Sequence, residues 1–492
     1  MAKEFIVAIE LGSSKMTGIA GRKNPDGSMT ILAVAKEDST SYIRKGVVYN
    51  IDKTAQGLSN IISKLKNTLQ TDITQVYVGI GGQSIHSINN SVIKDLPIDA
   101  IISQDMVNEL MDNNRNMTYP EYEIQDAVTE EYKVDSQYQD DPVGIQAKHL
   151  EGNFLNIVWR RSFYRNLNKS LENAGITIAE MYIAPLVMAD NVLSEAEKRA
   201  GCVFVDLGAE TTTMSVYYRN KLRYIAVIPL GGNNITKDLE SLQLEENEAE
   251  ALKTKYGSAY TDPATIDPNE VINIDSTRSI KRVQLVDVIE ARTLEIIENV
   301  RNLIPAEYAD KLICGIVLTG GGSNMKNIET AFRNATNMEK VRVAKTTAIN
   351  INSKDSVRGI AEDGTMNTIL SLVSKGTMNC AGREFSNTLF GDDLNTATTT
   401  STTQTTTATT GTAIDAAAMA AQRAEAARKA EEERKRLEEE ERKRQEEEER
   451  LKKEESKKKP SFFKRMKDSL TNFGKSLVEP EIDNISRHIH TT

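Results

Sequence analysis

Three stretches carry residue types that can hold a phosphorylated ligand. Residues 202–217, CVFVDLGAETTTMSVY, run from an apolar segment to Asp206, then Gly208, before alternation resumes. Residues 5–20, FIVAIELGSSKMTGIA, repeat that plan, with Glu10-Leu11-Gly12 in register with Asp206-Leu207-Gly208. Each reads as a strand, a tight turn and a second strand. In the first turn the backbone N–H groups of Gly12, Ser13 and Ser14 can cradle phosphate oxygens, and Lys15 supplies positive charge. The third stretch, residues 313–324 (ICGIVLTGGGSN), is an apolar strand entering Gly320, Gly321 and Gly322. Glycines there let backbone approach a flat or charged ligand without a Cβ clash. Two such turns facing each other across a cleft, with the glycine run beside them, would enclose a phosphorylated ligand.

Turns of this kind must be positioned by strands and helices, and the surrounding sequence supplies both. Asn24-Pro25-Asp26-Gly27-Ser28 is a hairpin turn leading into a strand at 29–35. Helical periodicity covers 51–69, followed by a strand and turn at 75–82. A helix at 162–174 ends at Gly175 and precedes a strand at 177–183. Gly231-Gly232-Asn233 opens a helix expected over 235–244, a long amphipathic helix runs from 284 to 303, and an apolar helix covers 365–373. Strands alternating with helices define an α/β protein.

The three loops in this order resemble the two phosphate loops and the adenosine loop of the actin-like ATPase superfamily, and within it the FtsA family of bacterial cell-division proteins. Residues 248–257 (EAEALKTKYG) and 286–292 (VDVIEAR) add to the resemblance. It implies an α/β, actin-like two-domain ATPase fold with an FtsA-type IC subdomain, followed by a disordered linker and C-terminal helices. The implied division is 1–83 for the first part of subdomain IA, 84–160 for IC, 161–200 for the return to IA, and 201–391 for domain II. A IIB excursion is expected at about 245–276.

The same resemblance places ATP and Mg2+ in the cleft. Gly12, Ser13, Ser14, Lys15, Gly208, Thr211, Gly232, Asn233, Gly320, Gly321, Gly322 and Met325 would line the nucleotide. Glu250 and Lys253 would contact ribose and adenine, the alternative being a surface ion pair between residues three apart on a helix. Asp206, with Glu10, would serve the metal. Two departures bear on turnover. Before Pro185, where hydrolysing relatives place a group that orients the attacking water, stands Ala184. Glu210 in the second turn would bring negative charge towards the phosphates, a repulsion of about 1–4 kcal/mol at 4 Å. ATP binding with weak or no hydrolysis is therefore expected.

Composition bounds the remaining classes. The chain has 492 residues, so two to four domains are expected, and its net charge of −10 argues against nucleic acid as a partner. Cys202, Cys314 and Cys380 have no metal-like spacing and read as reduced core residues of a cytosolic protein. His86 and His149 are isolated and read as surface or satisfied side chains. The N-terminal apolar run, interrupted by Glu10 and Lys15, does not read as a signal peptide, and no apolar window of about 20 residues occurs, so any membrane association is expected to be peripheral.

After Gly391 the composition changes. Residues 392–415 are a Thr-rich linker. Residues 416–459 are Ala, Glu, Arg and Lys, with pairs such as Glu431 and Lys435 or Glu446 and Arg450 in the favourable i, i+4 order. No heptad seam is sustained, so a single charged helix of about 65 Å is expected. Pro460 ends it. Over 460–480, Phe462, Phe463, Met466, Leu470, Phe473 and Leu477 share one face of a helical wheel, with Lys464 and Arg465 among the bases elsewhere. That is an amphipathic segment suited to anionic lipids, at roughly 1 kcal/mol per base. A polar tail, 481–492, follows.

The resemblance implies an ATP-binding division protein that self-assembles and anchors filaments of the tubulin-like protein FtsZ, through the FtsZ C-terminal tail, to the cytoplasmic face of the inner membrane at the division site. IC would recruit later division proteins. The rival class is an enzyme on the same fold, an actin-fold phosphotransferase or a chaperone-type ATPase.

Overall fold

A computed structural model describes residues 4–98, 100–353 and 360–381, all within the compact unit Met1–Leu389. The segments expected as linker, charged spacer, amphipathic helix and tail, including Phe462, Phe463, Lys464, Arg465, Met466, Leu470, Phe473 and Leu477, lie outside the described residues.

The chain starts with an antiparallel meander of β1 (Ile6–Leu11), β2 (Lys15–Lys23) and β3 (Met29–Asp38). Phe5 to Ile9 are buried, which places β1 in the core. The β2–β3 turn forms as its residues dictate: Asp26 Oδ1 accepts from Ser28 N–H at 2.9 Å, and Gly27 takes a φ of 82°. A short hairpin, β4 (Ile43–Arg44) and β5 (Val47–Val48), leads to α1 (Ile51–Leu69). The Asn50 side chain caps that helix by accepting from Lys53 N–H at 3.0 Å. Its apolar face, Leu58, Ile61 and Leu65, is fully buried. β6 (Val76–Ile80) then pairs in parallel with β1, as a strand reached through a helical crossover can.

An insertion follows: β7 (His86–Asp95), α2 (Gln104–Arg115), β8 (Tyr122–Val134), β9 (Gln137–Gln139) and β10 (His149–Arg160). α3 (Arg161–Asn173) returns the chain to β11 (Ile178–Ile183), parallel to β6. Two short helices, α4 (Ala184–Val192) and α5 (Glu195–Ala200), lead to the second lobe.

That lobe repeats the first. The meander is β12 (Cys202–Leu207), β13 (Thr212–Tyr218) and β14 (Lys221–Ile228), and α6 (Gly232–Glu240) follows it. α7 (Glu246–Tyr256) and the ribbon β15 (Val271–Asn273) and β16 (Ser279–Lys281) form an excursion with its own small core, before the long α8 (Arg282–Leu303). α9 (Ala306–Ala309), β17 (Ile316–Thr319), α10 (Ile328–Thr336) and β18 (Val341–Val343) complete the lobe. The strand orders are β11-β6-β1-β2-β3 in one sheet and β18-β17-β12-β13-β14 in the other, the same meander flanked by the same two parallel strands.

Two features depart from the sequence expectations and a third adds to them. The end of the described chain, assigned to domain II as far as 391, packs on the first lobe: β19 (Ile351–Ser353) joins β3, and α11 (Asn367–Lys375) lies on β1, β2 and β6. Cys380 N–H donates to Phe5 O at 2.8 Å, closing that lobe. α11 also packs against α4. The insertion occupies the span expected for IC and also extends the second lobe's sheet, which the sequence did not foretell: β7 bridges β14 at His86 and Ala226, and Ile225 N–H donates to Ser87 Oγ at 3.1 Å. The helix expected over 235–244 starts earlier and stops at Glu240, because the Asn234 side chain accepts from Gly231 N–H at 2.9 Å and fixes the start.

The insertion is also fastened by a buried ion pair, Arg223 with Glu130 at 3.4 Å, and by Lys221, which donates to Glu130 O and Asp140 at 2.6 Å each. Burial raises the Glu130 carboxyl above its usual range, and Arg223 pulls it back. Removing one partner leaves the other charged and buried, so Arg223→Ala should cost about 3 kcal/mol in a urea-unfolding measurement. Arg342→Ala, which removes a more exposed pair with Glu197, should cost much less.

Candidate nucleotide-binding cleft

The two acid-x-Gly turns occupy matching places in the two meanders. β1 and β2 run together as far as the pair Leu11 and Met16, and β12 and β13 as far as Leu207 and Thr212, so Gly12 to Lys15 and Gly208 to Thr211 form the turns. Gly208 N–H donates to Thr211 O at 2.9 Å and closes the second turn. In the first, Ser39 holds the carbonyls, its Oγ donating to Gly12 O at 2.6 Å and its N–H to Ser14 O at 3.3 Å.

Both turns line one cavity of about 1070 Å3 between the lobes. Every residue expected at the nucleotide lines it: Glu10, Gly12, Ser13, Ser14, Lys15, Asp206, Gly208, Thr211, Gly232, Asn233, Glu250, Lys253, Gly320, Gly321, Gly322 and Met325. Ala184, the first residue of α4, lines it too.

Glu10 and Asp206 are half-buried on the cavity floor. Burial, with the Asp206 charge facing it, pushes the Glu10 carboxyl up to about 7, against the pull of Lys15 and a hydrogen bond from Thr368. Burial also pushes Asp206 up to about 6. Burial thus disfavours the ionised form of each, and the Asp206 charge adds to this at Glu10. Among the described residues no three His, Cys, Asp or Glu side chains gather into a metal-binding group.

The third loop reaches this floor. Gly320 has φ 84° and ψ 172°, and a Cβ there would lie 2.3 Å from Asp206 Oδ1 and 2.6 Å from Leu207 O. Only glycine permits that backbone and that approach. Glu250 and Lys253 do more than pair with each other at 2.6 Å: Lys253 Nζ also donates to Gly232 O at 3.0 Å and to Thr236 Oγ1 at 2.8 Å. The lysine side chain is only 11% exposed and its partner Glu250 is 51% exposed, so the pair is buried at its lysine end.

One expectation is corrected by its geometry. Glu210 does not line the cavity; its Oε2 accepts from Lys45 N–H at 2.6 Å, a hydrogen bond to the first lobe. Its charge is thus engaged across the cleft. Cavity residues missed in the sequence include Thr236, which joins Glu250 and Lys253, Thr368, which meets Glu10 only because α11 folds back, and Gly46 at the tip of the β4–β5 hairpin. None sits in a motif of its own. The histidines are satisfied: His86 Nδ1 lies 2.9 Å from Ser84 O, and His149 Nδ1 lies 2.6 Å from Asp95.

Two like meanders, each followed by crossover helices and parallel strands, with phosphate-sized turns facing across a cleft, define an actin-like α/β protein. The family model described as Cell division protein FtsA matches residues 203–362, and the model of the SHS2 domain inserted in FtsA matches residues 82–158. The chain is 31% identical over 379 residues to Cell division protein FtsA of Porphyromonas gingivalis, covering 76% of this chain and 78% of that one. With the Bacillus subtilis protein of the same name it shares 28% over 364 residues, covering 73% and 82%. The chain belongs to the FtsA family of cell-division proteins.

Solved structures of similar architecture include a PilM-PilN type IV pilus biogenesis complex, at 14% identity and a TM-score of 0.49 over 75% of this chain and 97% of that one. Another is MreB5 of Spiroplasma citri bound to ADP, at 12% and 0.44 over 75% and 95%.

Gly320→Ala should drive its new methyl into Asp206 and Leu207. The expected outcome is a lower melting temperature, with a loss of about 2 kcal/mol, whereas Gly321→Ala, with only Thr365 Cγ2 at 3.5 Å, should melt close to the parent.

Proposed function

We propose that this FtsA-family protein binds ATP with Mg2+ between its lobes and uses the bound state to set how the lobes, and successive copies of the chain, meet. The observation that carries this reading is the single cavity that gathers both acid-x-Gly turns, Lys15 and the Gly320–Gly322 loop. Backbone of Gly12 to Ser14 and of Gly208 to Thr211 would hold the phosphates, with Lys15 as counter-charge. Glu250 and Lys253 would meet the ribose and base, with Gly320, Gly321, Gly322 and Met325 beside them. Asp206 and Glu10 would hold Mg2+ through its water shell. When bound, the metal would neutralise phosphate charge. Ala184 offers no group to orient a water, which supports slow turnover or none.

The protein would tie FtsZ filaments, through their C-terminal tails, to the cytoplasmic face of the inner membrane at the division site, with IC receiving later division proteins. Among the described residues no helix is long and apolar enough to cross a membrane. The amphipathic sequence at 460–480, with its aromatic face and bases, supports attachment to anionic lipid from one side. The spans 392–415 and 416–459 would separate that anchor from the folded unit.

Asp206→Ala should weaken Mg-ATP binding by about tenfold or more, equal to about 1.4 kcal/mol, in equilibrium dialysis; unchanged affinity would remove Asp206 from the site. Sedimentation with anionic vesicles should retain the full chain and lose a chain truncated after Lys459. Equal sedimentation of both would sink the membrane anchor.

A further inference from the structure

The nucleotide reading leaves the β4–β5 hairpin unused. Its tip, Lys45-Gly46, has positive φ at both residues, 48° and 72°, as a tight two-residue hairpin turn requires. A Cβ on Gly46 would fall 2.4 Å from Gly82 Cα, so the tip is pressed onto the turn that precedes the insertion. Three hydrogen bonds tie it to three separate places. Gly46 N–H donates to Ser13 Oγ at 2.8 Å, on the first phosphate turn. Lys45 N–H donates to Glu210 Oε2 at 2.6 Å, on the second turn and the other lobe. Lys45 O accepts from Gln83 N–H at 2.8 Å.

Gln83 is where the chain departs into the insertion, and the contact continues to where it returns. Gln83 O accepts from Trp159 Nε1–H at 3.2 Å, and Ser84 Oγ accepts from Arg160 N–H at 3.3 Å. On the hairpin's far side, Val48 O accepts from the Asn166 side chain at 3.3 Å, which ties β5 to α3. A continuous path of hydrogen bonds therefore runs from both phosphate turns, through two residues, to the root of the inserted subdomain.

We propose that the Lys45-Gly46 tip, held across the cleft by the Glu210 carboxylate, relays phosphate occupancy of the cleft to the root of the insertion at Gln83 and Trp159. Glu210 acts in it as a positioning residue. The inference rests on the reading of the cleft as a nucleotide site. Ser13 and Gly46 both line the cavity, so a phosphate oxygen there competes for the Ser13 hydroxyl and the Gly46 N–H that now bond each other. Movement of the second lobe as the cleft fills also carries Glu210, and with it the hold on Lys45 across the cleft. Because the anchors lie in different lobes and the turn is too short to bend, either change moves Lys45 O and with it Gln83. Occupied and empty clefts thereby favour different positions of one element, which is what coupling between sites requires.

Trp159 is the one tryptophan of the chain and is 2% exposed, so its emission reports directly on the relay. The experiment follows the fluorescence of the full chain with Mg2+ and a non-hydrolysable ATP analogue, with Mg-ADP, and without nucleotide. Binding is measured in parallel by equilibrium dialysis. The triphosphate should change Trp159 emission, and the diphosphate should change it less. Glu210→Ala should lose most of that response at saturating nucleotide, and Glu210→Gln, which keeps an acceptor, should regain it. Should the alanine variant not fold, Glu210→Asp serves in its place, since the shorter side chain withdraws from Lys45. A saturated parent chain with unchanged emission, or a folded Glu210→Ala or Glu210→Asp with the full response, overturns the relay. Dialysis showing no nucleotide bound would remove the nucleotide reading, and the relay with it.

Discussion

Two carboxyl groups that face each other from different lobes set the terms for the cleft. Glu10 lies one residue from the end of a central strand and Asp206 at the matching place in the other lobe; burial raises both above the usual carboxylate range, and the Asp206 charge raises Glu10 further. A fold that holds two acids this way is strained towards either protonation or a bound cation. Lys15 and the Thr368 hydroxyl moderate that strain for Glu10, and the close approach of Gly320 fixes where Asp206 sits. Phosphates with a divalent cation would satisfy the same pair, so electrostatics and ligand chemistry point the same way.

The duplicated sheets make this possible. A meander closed by a four-residue turn puts an acid at the end of a buried strand, and repeating it in a second lobe puts a second acid opposite. The lobes are joined near the cleft floor as well as by α4 and α5: Asn367 of α11 donates to Thr319 Oγ1 at 3.0 Å and to Ala344 O at 3.1 Å. Relative movement of the lobes would therefore be registered at both phosphate turns, at the Gly320 loop and at α11. The insertion shares in this, because its β7 is bonded to the second lobe while its root sits on the first.

This arrangement gives Glu210 a part that its position in the sequence conceals. In the linear chain it is an acid within a phosphate turn and looks out of place. In the fold its carboxylate accepts from a backbone N–H of the opposite lobe, so the turn carries a cross-cleft contact and Glu210 stays off the cavity wall.

What the sequence alone determined is what local stereochemistry controls. The acid-x-Gly turns, the glycine run at 320–322, the Asn24–Ser28 hairpin and the extent of α1 were legible because each depends on φ preferences, caps and apolar periodicity within a few residues. The part of the cavity lining that falls in those turns was legible for the same reason, and Gly232, Asn233 and Met325 came from the family resemblance. Family resemblance added Glu250 and Lys253, which periodicity alone would leave as an ion pair. The tertiary structure decided the rest: the return of β19 and α11 to the first lobe, the continuation of the second sheet into the insertion, the meeting of Thr368 with Glu10, and the reach of Glu210 to Lys45. Each of these joins residues far apart in the chain. Their partners are chosen by the shape of a groove, the free edge of a strand or the width of a cleft, and none of those exists until the lobes have formed.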